Sequence, residues 1–381
     1  MRGAARIVEA TLLLQDGTKF TGRGFGASGT SIGEVVFHTG MTGYQEILTD
    51  PSYKGQIITM TYPHIGNYGF NKEDYESCKP HIEALIVKEA CSFPHNHRSA
   101  ENINSFLKKF GIVGLEDIDT RALTRHIRKK GSMKGIISNT EKDLNTLKKL
   151  LDSHPPIEKI DLVNKVTISK PYNWKKKANP HWYYDSITES GNNTFTIIAY
   201  DFGIKQNILK LMTSMNFKIT VVPAAISYEM ILDMNPDGIF LSNGPGDPEK
   251  VTYTINTIKK LSDKFPIFGI CLGHQILALA LGGSTYKLKF GHHGSNHPVR
   301  DLRTGKIEIT SQNHNFAVAP TSVREKGFDI SHINLNDNTV EGMEHRELPV
   351  FSVQYHPESS PGPHDSLNLF KKFYSLVKEN A

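Results

Sequence analysis

Apolar runs alternate with helix-like segments along the second half of the chain. The runs cover residues 195–200, 218–222, 238–242 and 266–270, and the helix-like segments cover 207–215, 228–234 and 251–261. Strands that alternate with helices form a parallel sheet covered by helices. Functional groups on such a sheet collect at the carboxyl ends of the strands.

The first part of the chain is richer in short strands. Residues 10–14 and 18–22 flank the turn Asp16-Gly17 and predict a hairpin. Further strands are predicted at 35–37, 56–62 and 82–87, and helices at 102–110, 119–130 and 141–152, with Asn139 or Thr140 as the cap of the last helix.

The pattern therefore predicts an α/β protein with two domains. Residues 1–152 form a strand-rich α/β domain, and residues 194–381 form a second domain with a mostly parallel, helix-flanked sheet. Between them, residues 153–193 have little periodicity and many prolines, lysines and glycines, which is typical of a linker or crossing segment.

Composition narrows the classes of function. The 381 residues carry a net charge of +5 with both signs interspersed, so bulk charge gives no support for nucleic-acid binding. The three cysteines are too few for a disulfide framework, which indicates a reducing compartment. No apolar run is long enough to span a membrane, and alternating residues, not a signal-peptide core, follow the first six residues. We therefore expect a cytoplasmic protein, mature from near residue 1.

The main chemical candidate is Cys271, which follows an apolar run and lies between Gly269 and Gly273. A strand, a sharp turn with a nucleophile at its tip, and a helix make up a nucleophile elbow. A thiol there lies at a helix N-terminus, where the dipole favours the reactive thiolate. A cysteine after a strand is also commonly a small buried hydrophobe, so this motif alone leaves both interpretations open.

A base and an orienting carboxylate follow another strand-like run, residues 350–355. His356 ends that run, and Glu358 can lie beside it because Pro357 keeps the backbone extended. The amide of Leu272, next to the nucleophile, is one expected oxyanion donor. The Gly244-Pro245-Gly246 turn after the preceding strand is placed to give the second donor, although a plain turn would have the same composition.

Three other motifs are weaker. Residues 24–29 match G-x-G-x-x-G but lead into a predicted strand, so they lack the helix N-terminus of a pyrophosphate site. The histidines near residue 292 fit no common zinc spacing, and we expect no metal site. The chain has no G-x-x-x-x-G-K-[ST] loop and shows no nucleotide site of its own.

These residues carry a resemblance to a known family. Residues 269–275 together with His356-Pro357-Glu358 resemble the class I glutamine amidotransferases. Residues 242–248, 289–294 and 311–314, and in the first domain 41–53, 61–67 and 117–121, are similar to the small chains of carbamoyl-phosphate synthase. The resemblance covers nearly the whole chain, and the first-domain motifs separate this family from other amidotransferases.

The resemblance implies a mechanism and a binding site. Cys271 would attack the side-chain amide of L-glutamine, His356 would transfer protons and Glu358 would orient His356. The implied glutamine contacts are Ser52, Gly244, Gly246, Leu272, Gln275, Asn313, Asn315 and Phe316. Many members carry glycine where this chain has Asn315, and the contact expected there is through the backbone.

The resemblance also implies a partner. Ammonia would pass to a separate large chain that holds ATP and Mg²⁺ and makes carbamoyl phosphate for arginine and pyrimidine synthesis. No cofactor is expected on this chain, and the assembly would be a heterodimer or a higher assembly of heterodimers. A catalytically silent scaffold, and a glutaminase that serves a different synthase, remain alternative hypotheses.

Overall fold

A computed structural model describes residues 8–178 and 193–381, which form two compact units. The first unit contains Tyr53–Ile160, the described residues up to Thr49, and the short segment Lys289–His293. The second contains Asp50–Ser52, the described residues of Asp161–Leu288, and Gly294–Ala381. The expectation about the first six residues lies outside the described residues.

The first unit is built on a closed seven-stranded barrel, as far as the described residues go, with strand order β1-β2-β8-β6-β4-β3-β9. Strands β5 and β7 form a separate two-stranded sheet. The strands are β1 Glu9–Leu14, β2 Lys19–Gly26, β3 Thr30–His38, β4 Gln56–Met60, β5 His64–Ile65, β6 Ala84–Ile86, β7 Glu89–Ala90, β8 Val113–Glu116 and β9 Met133–Ser138. The helices are α1 Tyr44–Thr49, α2 Ile103–Lys109, α3 Thr120–Lys130 and α4 Leu144–Ser153.

Successive side chains along the barrel strands alternate between two apolar clusters. Val35 and Ile57 share one cluster with residues of all seven barrel strands, whereas the neighbouring Val36 and Ile58 belong to a second cluster with α1 and α2. This division follows from the two-residue period of strands, which points successive side chains to opposite faces. Leu123 of α3 joins the first cluster.

The hairpin predicted around Asp16-Gly17 is present as the antiparallel pair β1 and β2. The prediction that Asn139 or Thr140 caps the helix expected at 141–152, which is α4, is wrong. The helix begins at Leu144, and the Asp143 carboxylate accepts from the amides of the first turn. Asn139 instead donates to Ala27 O at 2.9 Å and accepts from a backbone amide of the same loop, so its side chain is occupied elsewhere. The G-x-G-x-x-G segment leads from β2 into β3 and precedes no helix.

The second sheet has ten strands among the described residues, in the order β10-β12-β11-β13-β14-β19-β18-β17-β15-β16. Its strands are β10 Tyr172–Trp174, β11 Phe195–Asp201, β12 Phe217–Pro223, β13 Gly238–Leu241, β14 Ile267–Ile270, β15 Thr285–Asp301, β16 Ile307–Val318, β17 Phe328–Asn334, β18 Val340–His345 and β19 Val350–Val353. The helices are α5 Gln206–Ser214, α6 Tyr228–Asp233, α7 Thr252–Leu261, α8 Leu272–Ala280, α9 Pro320–Arg324 and α10 Asn368–Asn380.

The centre of this sheet is parallel and its flanks are antiparallel. Strands β12, β11, β13, β14 and β19 pair in parallel, whereas β10 and the pairs from β19 through β18 and β17 to β15 are antiparallel. Ile197 and Ala199 face one apolar core while Ile198 and Tyr200 face another. A sheet buried on both faces requires the continuous apolar runs that the sequence shows.

The segment predicted as a linker is divided between the units. Residues 153–160 cluster with the first unit, and the described residues from Asp161 cluster with the second. Pro180 and Gly191, on which part of this prediction depended, lie outside the described residues. None of the helices in 8–178 and 193–381 is both long and apolar enough to cross a membrane.

Candidate functional site

Cys271 lies at the turn between β14 and α8, with a backbone conformation that is rare for any residue except glycine. Its φ is 54° and its ψ is −102°, and its side chain is only 2% exposed. Such a conformation costs about 1–3 kcal/mol and persists only where surrounding structure enforces it. The amide of Cys271 donates to Val353 O at 2.9 Å, which ties the turn to the end of β19.

The flanking glycines are required because the backbone folds closely on both sides of the turn. A Cβ on Gly269 would lie 2.8 Å from the carbonyl carbon of Gly273, and a Cβ on Gly273 would lie 2.2 Å from Leu241 O. Both distances are shorter than any side chain tolerates. The elbow predicted from the sequence is therefore present as a strand–turn–helix with a strained cysteine at its tip.

His356 reaches the cysteine from the neighbouring strand. Its amide donates to Ser311 O at 2.9 Å, and its Nδ1 lies 2.7 Å from Glu358 Oε1. Because an ionised carboxylate only accepts, Nδ1 carries a proton and Nε2 is the nitrogen left for proton transfer. Nε2 is buried and forms no hydrogen bond of regular geometry within the described part of the chain, but the Cys271 side chain lies close enough to raise the pKa of His356.

The charges around His356 favour its imidazolium form. Burial alone would lower the pKa of His356, but the negative charge of Glu358 and the nearby Cys271 side chain raise it to about 10. An imidazolium beside the sulfur is the counter-ion that a thiolate nucleophile needs. Glu358 itself is fully buried, and the positive charges of Lys205 and His356 outweigh that burial and hold its pKa at about 2.

His274, which follows the nucleophile by three residues, has a different environment. Its Nδ1 lies 2.9 Å from Ser352 Oγ, and complete burial, with a smaller effect from His332, lowers its pKa to about 3. A histidine that stays neutral and faces a serine hydroxyl is poorly placed to accept a proton from the thiol. Of the two histidines, His356 is therefore the candidate for the base.

The remaining candidate residues all lie in the second unit. Gly244 follows β13, and a Cβ there would lie 2.3 Å from Phe202 O and 2.9 Å from the Leu272 side chain, so the turn after β13 packs closely against the start of α8. Leu272 begins α8, where the first amides have no partner inside the helix. Gly246 has a φ of +88°, which favours glycine.

The predicted glutamine contacts on β16 and α8 touch one another. The Cys271 thiol lies 3.5 Å from Asn313 O, and Gln275 Nε2 donates to Phe316 O at 2.8 Å. Gln275 Nε2 also donates to Gln354 Oε1 at 2.9 Å, so both amide protons of Gln275 are used and its Oε1 is the atom left for a ligand. Asn315 lies within β16 and has no positive φ, so this position accommodates asparagine without left-handed strain.

Two buried residues beside these candidates were not predicted from the sequence. Lys205 Nζ donates to Glu358 Oε1 at 2.7 Å and to Ser359 O, with only 2% of its side chain exposed. Asn243 Nδ2 donates to Ser52 Oγ at 2.8 Å and is fully buried. Both residues follow strands of the parallel centre of the sheet. The rule that functional groups collect at the carboxyl ends of such strands therefore applies to them as well as to Cys271.

Comparisons with known proteins show the family of this chain. Residues 12–137 match the family model described as carbamoyl-phosphate synthase small chain, CPSase domain, and residues 198–376 match glutamine amidotransferase class-I. A carbamoyl phosphate synthase small chain from Syntrophotalea carbinolica is 54% identical over 98% of this chain and 99% of that protein. Its namesake from Aquifex aeolicus is 52% identical over 97% and 99% of the two chains. A chloroplastic small chain from Oryza sativa is 47% identical over 98% of this chain and 83% of that protein. This chain belongs to the carbamoyl-phosphate synthase small chain family.

Proposed function

We propose that this chain is the glutamine-hydrolysing subunit of a carbamoyl-phosphate synthase. The observation that carries this proposal is the buried group of Cys271, His356 and Glu358, in which a strained elbow presents the thiol and a carboxylate orients the base. The products are glutamate and ammonia.

The geometry supports a two-step reaction. Cys271 Sγ attacks the side-chain amide carbon of L-glutamine, and the amides of Gly244 and Leu272 stabilise the oxyanion of the tetrahedral intermediate. His356 then gives a proton to the departing nitrogen, so that ammonia leaves and a γ-glutamyl thioester remains. Water attacks the thioester while His356 accepts its proton, and glutamate and the free thiol are released.

The glutamine contacts proposed around this centre are Ser52, Gly246, Gln275, Asn313, Asn315 and Phe316. Gln275 Oε1 is an acceptor and therefore suits the substrate's ammonium group. We assign the use of the ammonia to a large chain that binds ATP and Mg²⁺, in a heterodimer or an assembly of heterodimers. A cytoplasmic location, expected from the sparse cysteines, is part of the same proposal.

The test measures ammonia released from glutamine by the purified chain, alone and with its large chain. Cys271→Ala is expected to abolish release, because no other group supplies the thioester, while its urea unfolding midpoint stays near that of the wild type. Glutamine-dependent activity in Cys271→Ala would refute the mechanism. A diazoketone analogue of glutamine should label wild-type Cys271, and complete failure to label it would favour the scaffold hypothesis.

A further inference from the structure

The side chain of Asn243 connects several backbone and side-chain groups around the candidate site. Its Oδ1 accepts from the amide of Lys205 at 3.1 Å. Its Nδ2 donates to Ser52 Oγ at 2.8 Å, to Gly203 O at 3.0 Å and, more weakly, to Asp50 Oδ1 at 3.3 Å. Asn243 is 0% exposed and Ser52 is 4% exposed, and both belong to the second unit.

These partners determine which way the Asn243 amide points. Gly203 O and the Asp50 carboxylate can only accept, whereas the Lys205 amide can only donate. A flipped amide would place its oxygen against two acceptors and its nitrogen against a donor. A buried polar group that loses its partners is costly, so the flipped arrangement is disfavoured.

The fixed amide in turn determines the role of the Ser52 hydroxyl. Because Asn243 Nδ2 donates to Ser52 Oγ, the hydroxyl accepts on that side and its own proton must point elsewhere. Among residues 8–178 and 193–381, the Ser52 hydroxyl donates no hydrogen bond. The Ser52 amide donates to Asp50 Oδ1 at 2.8 Å, which holds the backbone of Ser52 in place as well.

We propose that Asn243 is a positioning residue for substrate binding, which makes the Ser52 hydroxyl a hydrogen-bond donor to an acceptor oxygen of the ligand. The proposal rests on the proposed function, in which the ligand is L-glutamine. The carbonyl oxygen of its side-chain amide lies at the thiol, so the oxygen that meets Ser52 is one of its α-carboxylate. Asn243 also binds the amide of Lys205, whose ammonium contacts Glu358, so one side chain connects the substrate pocket with the residues that orient the base.

The test uses Asn243→Asp in the small chain assembled with its large chain. The aspartate can still accept from the Lys205 amide, but it cannot donate to Ser52 Oγ, and the Ser52 proton then turns toward the new carboxylate. We expect the KM for glutamine to rise about tenfold or more, because a charge-assisted hydrogen bond to the substrate is lost. We expect kcat to change by less than about threefold, because the thiol, base and orienting carboxylate are retained.

A double-mutant cycle with Ser52→Ala separates positioning from general damage to the fold. If Asn243 acts through Ser52, Asn243→Asp should raise the KM by no more than about twofold once Ser52 is already alanine. If the two substitutions multiply their effects on KM, or if Asn243→Asp leaves KM unchanged, the inference is wrong.

A second variant controls for charge repulsion between Asp50 and the carboxylate introduced at position 243. Asp50→Asn with Asn243→Asp restores the local charge, and it should recover the wild-type unfolding midpoint while keeping the raised KM. Normal glutamine affinity in this double variant would also overturn the inference. Absence of ammonia release by the wild-type complex would instead refute the proposed function, so the two failures are distinguishable.

Discussion

Replacing Lys205 with methionine should destabilise the second unit strongly. Lys205 and Glu358 are 2% and 0% exposed in their side chains, and 2.7 Å separates Nζ from Oε1. Removing Lys205 leaves the buried Glu358 carboxylate with His356 as its remaining charged partner, and the loss of one partner from a buried ion pair costs about 3–5 kcal/mol. For a unit of this size, that loss corresponds to a fall in Tm of about 6–20 °C.

The same substitution should also impair hydrolysis. Lys205 is the main charge that lowers the pKa of Glu358, so its loss raises that pKa and weakens the negative charge beside His356. The pKa of His356 then falls toward its ordinary value, and the imidazolium form is less populated at neutral pH. We expect kcat to fall more than glutamine affinity.

The assay combines urea unfolding, followed by circular dichroism, with ammonia release. Two control variants make the result specific. Lys205→Met with Glu358→Gln removes both charges and should recover most of the stability but not the activity. Arg346→Met breaks an ion pair with Asp329 in which the two side chains are 53% and 68% exposed, and it should cost less than about 1 kcal/mol.

Two results would refute this reasoning. The first is a loss of less than about 1 kcal/mol in Lys205→Met, which would mean that the Glu358 charge is stabilised by other groups. The second is a double variant that is no more stable than the single one, which would mean that Lys205 contributes through packing and not through its charge.

Three further predictions test separate parts of the structure. Gly273→Ala should lower the free energy of unfolding by at least about 1–3 kcal/mol and remove most of the activity, because its Cβ would lie 2.2 Å from a backbone carbonyl oxygen. The control is Gly305→Ala, where φ is +74° and the surrounding space is open. It should lower the free energy of unfolding by only about 1–2 kcal/mol and leave the activity unchanged. Asp143→Ala should lower stability by about 0.5–2 kcal/mol through loss of the α4 cap, whereas Thr140→Ala should change it by less than about 0.5 kcal/mol. Urea unfolding midpoints measure both, and equal losses would contradict the assignment of Asp143 as the cap. Because the pKa of His356 is raised in the folded state, its contribution to stability is complete below about pH 6.5 and is lost as pH rises to about 10. Over that range, the free energy of unfolding should therefore decline more steeply in the wild type than in His356→Gln.

Much of the second unit could be predicted from the sequence because its elements are strongly patterned. The runs that became β11 to β14, and the helices between them, are each buried on a predictable face. The elbow could also be recognised, because the glycines around Cys271 are a local requirement of the turn.

Other features depend on contacts that sequence pattern does not encode. The closure of the barrel requires β9 to pair with β1, although more than one hundred residues separate Leu14 from Gly135 along the chain. The antiparallel strands β15 to β18 lack a clean alternation of apolar residues, because several of their buried positions are polar and form hydrogen bonds with one another. Neither feature follows from periodicity, which reports only local exposure.

By itself, the sequence determined the nature of the chemistry: a thiol in a strained elbow, followed by a histidine and a carboxylate two residues apart. Tertiary structure decided how those groups are charged and held. Lys205 and Asn243 carry no motif of their own, and their importance arises only because adjacent parallel strands place them, buried, beside Glu358 and Ser52. Burial removes water from these contacts, so the pairing of each charge and amide depends on neighbours that are distant along the chain.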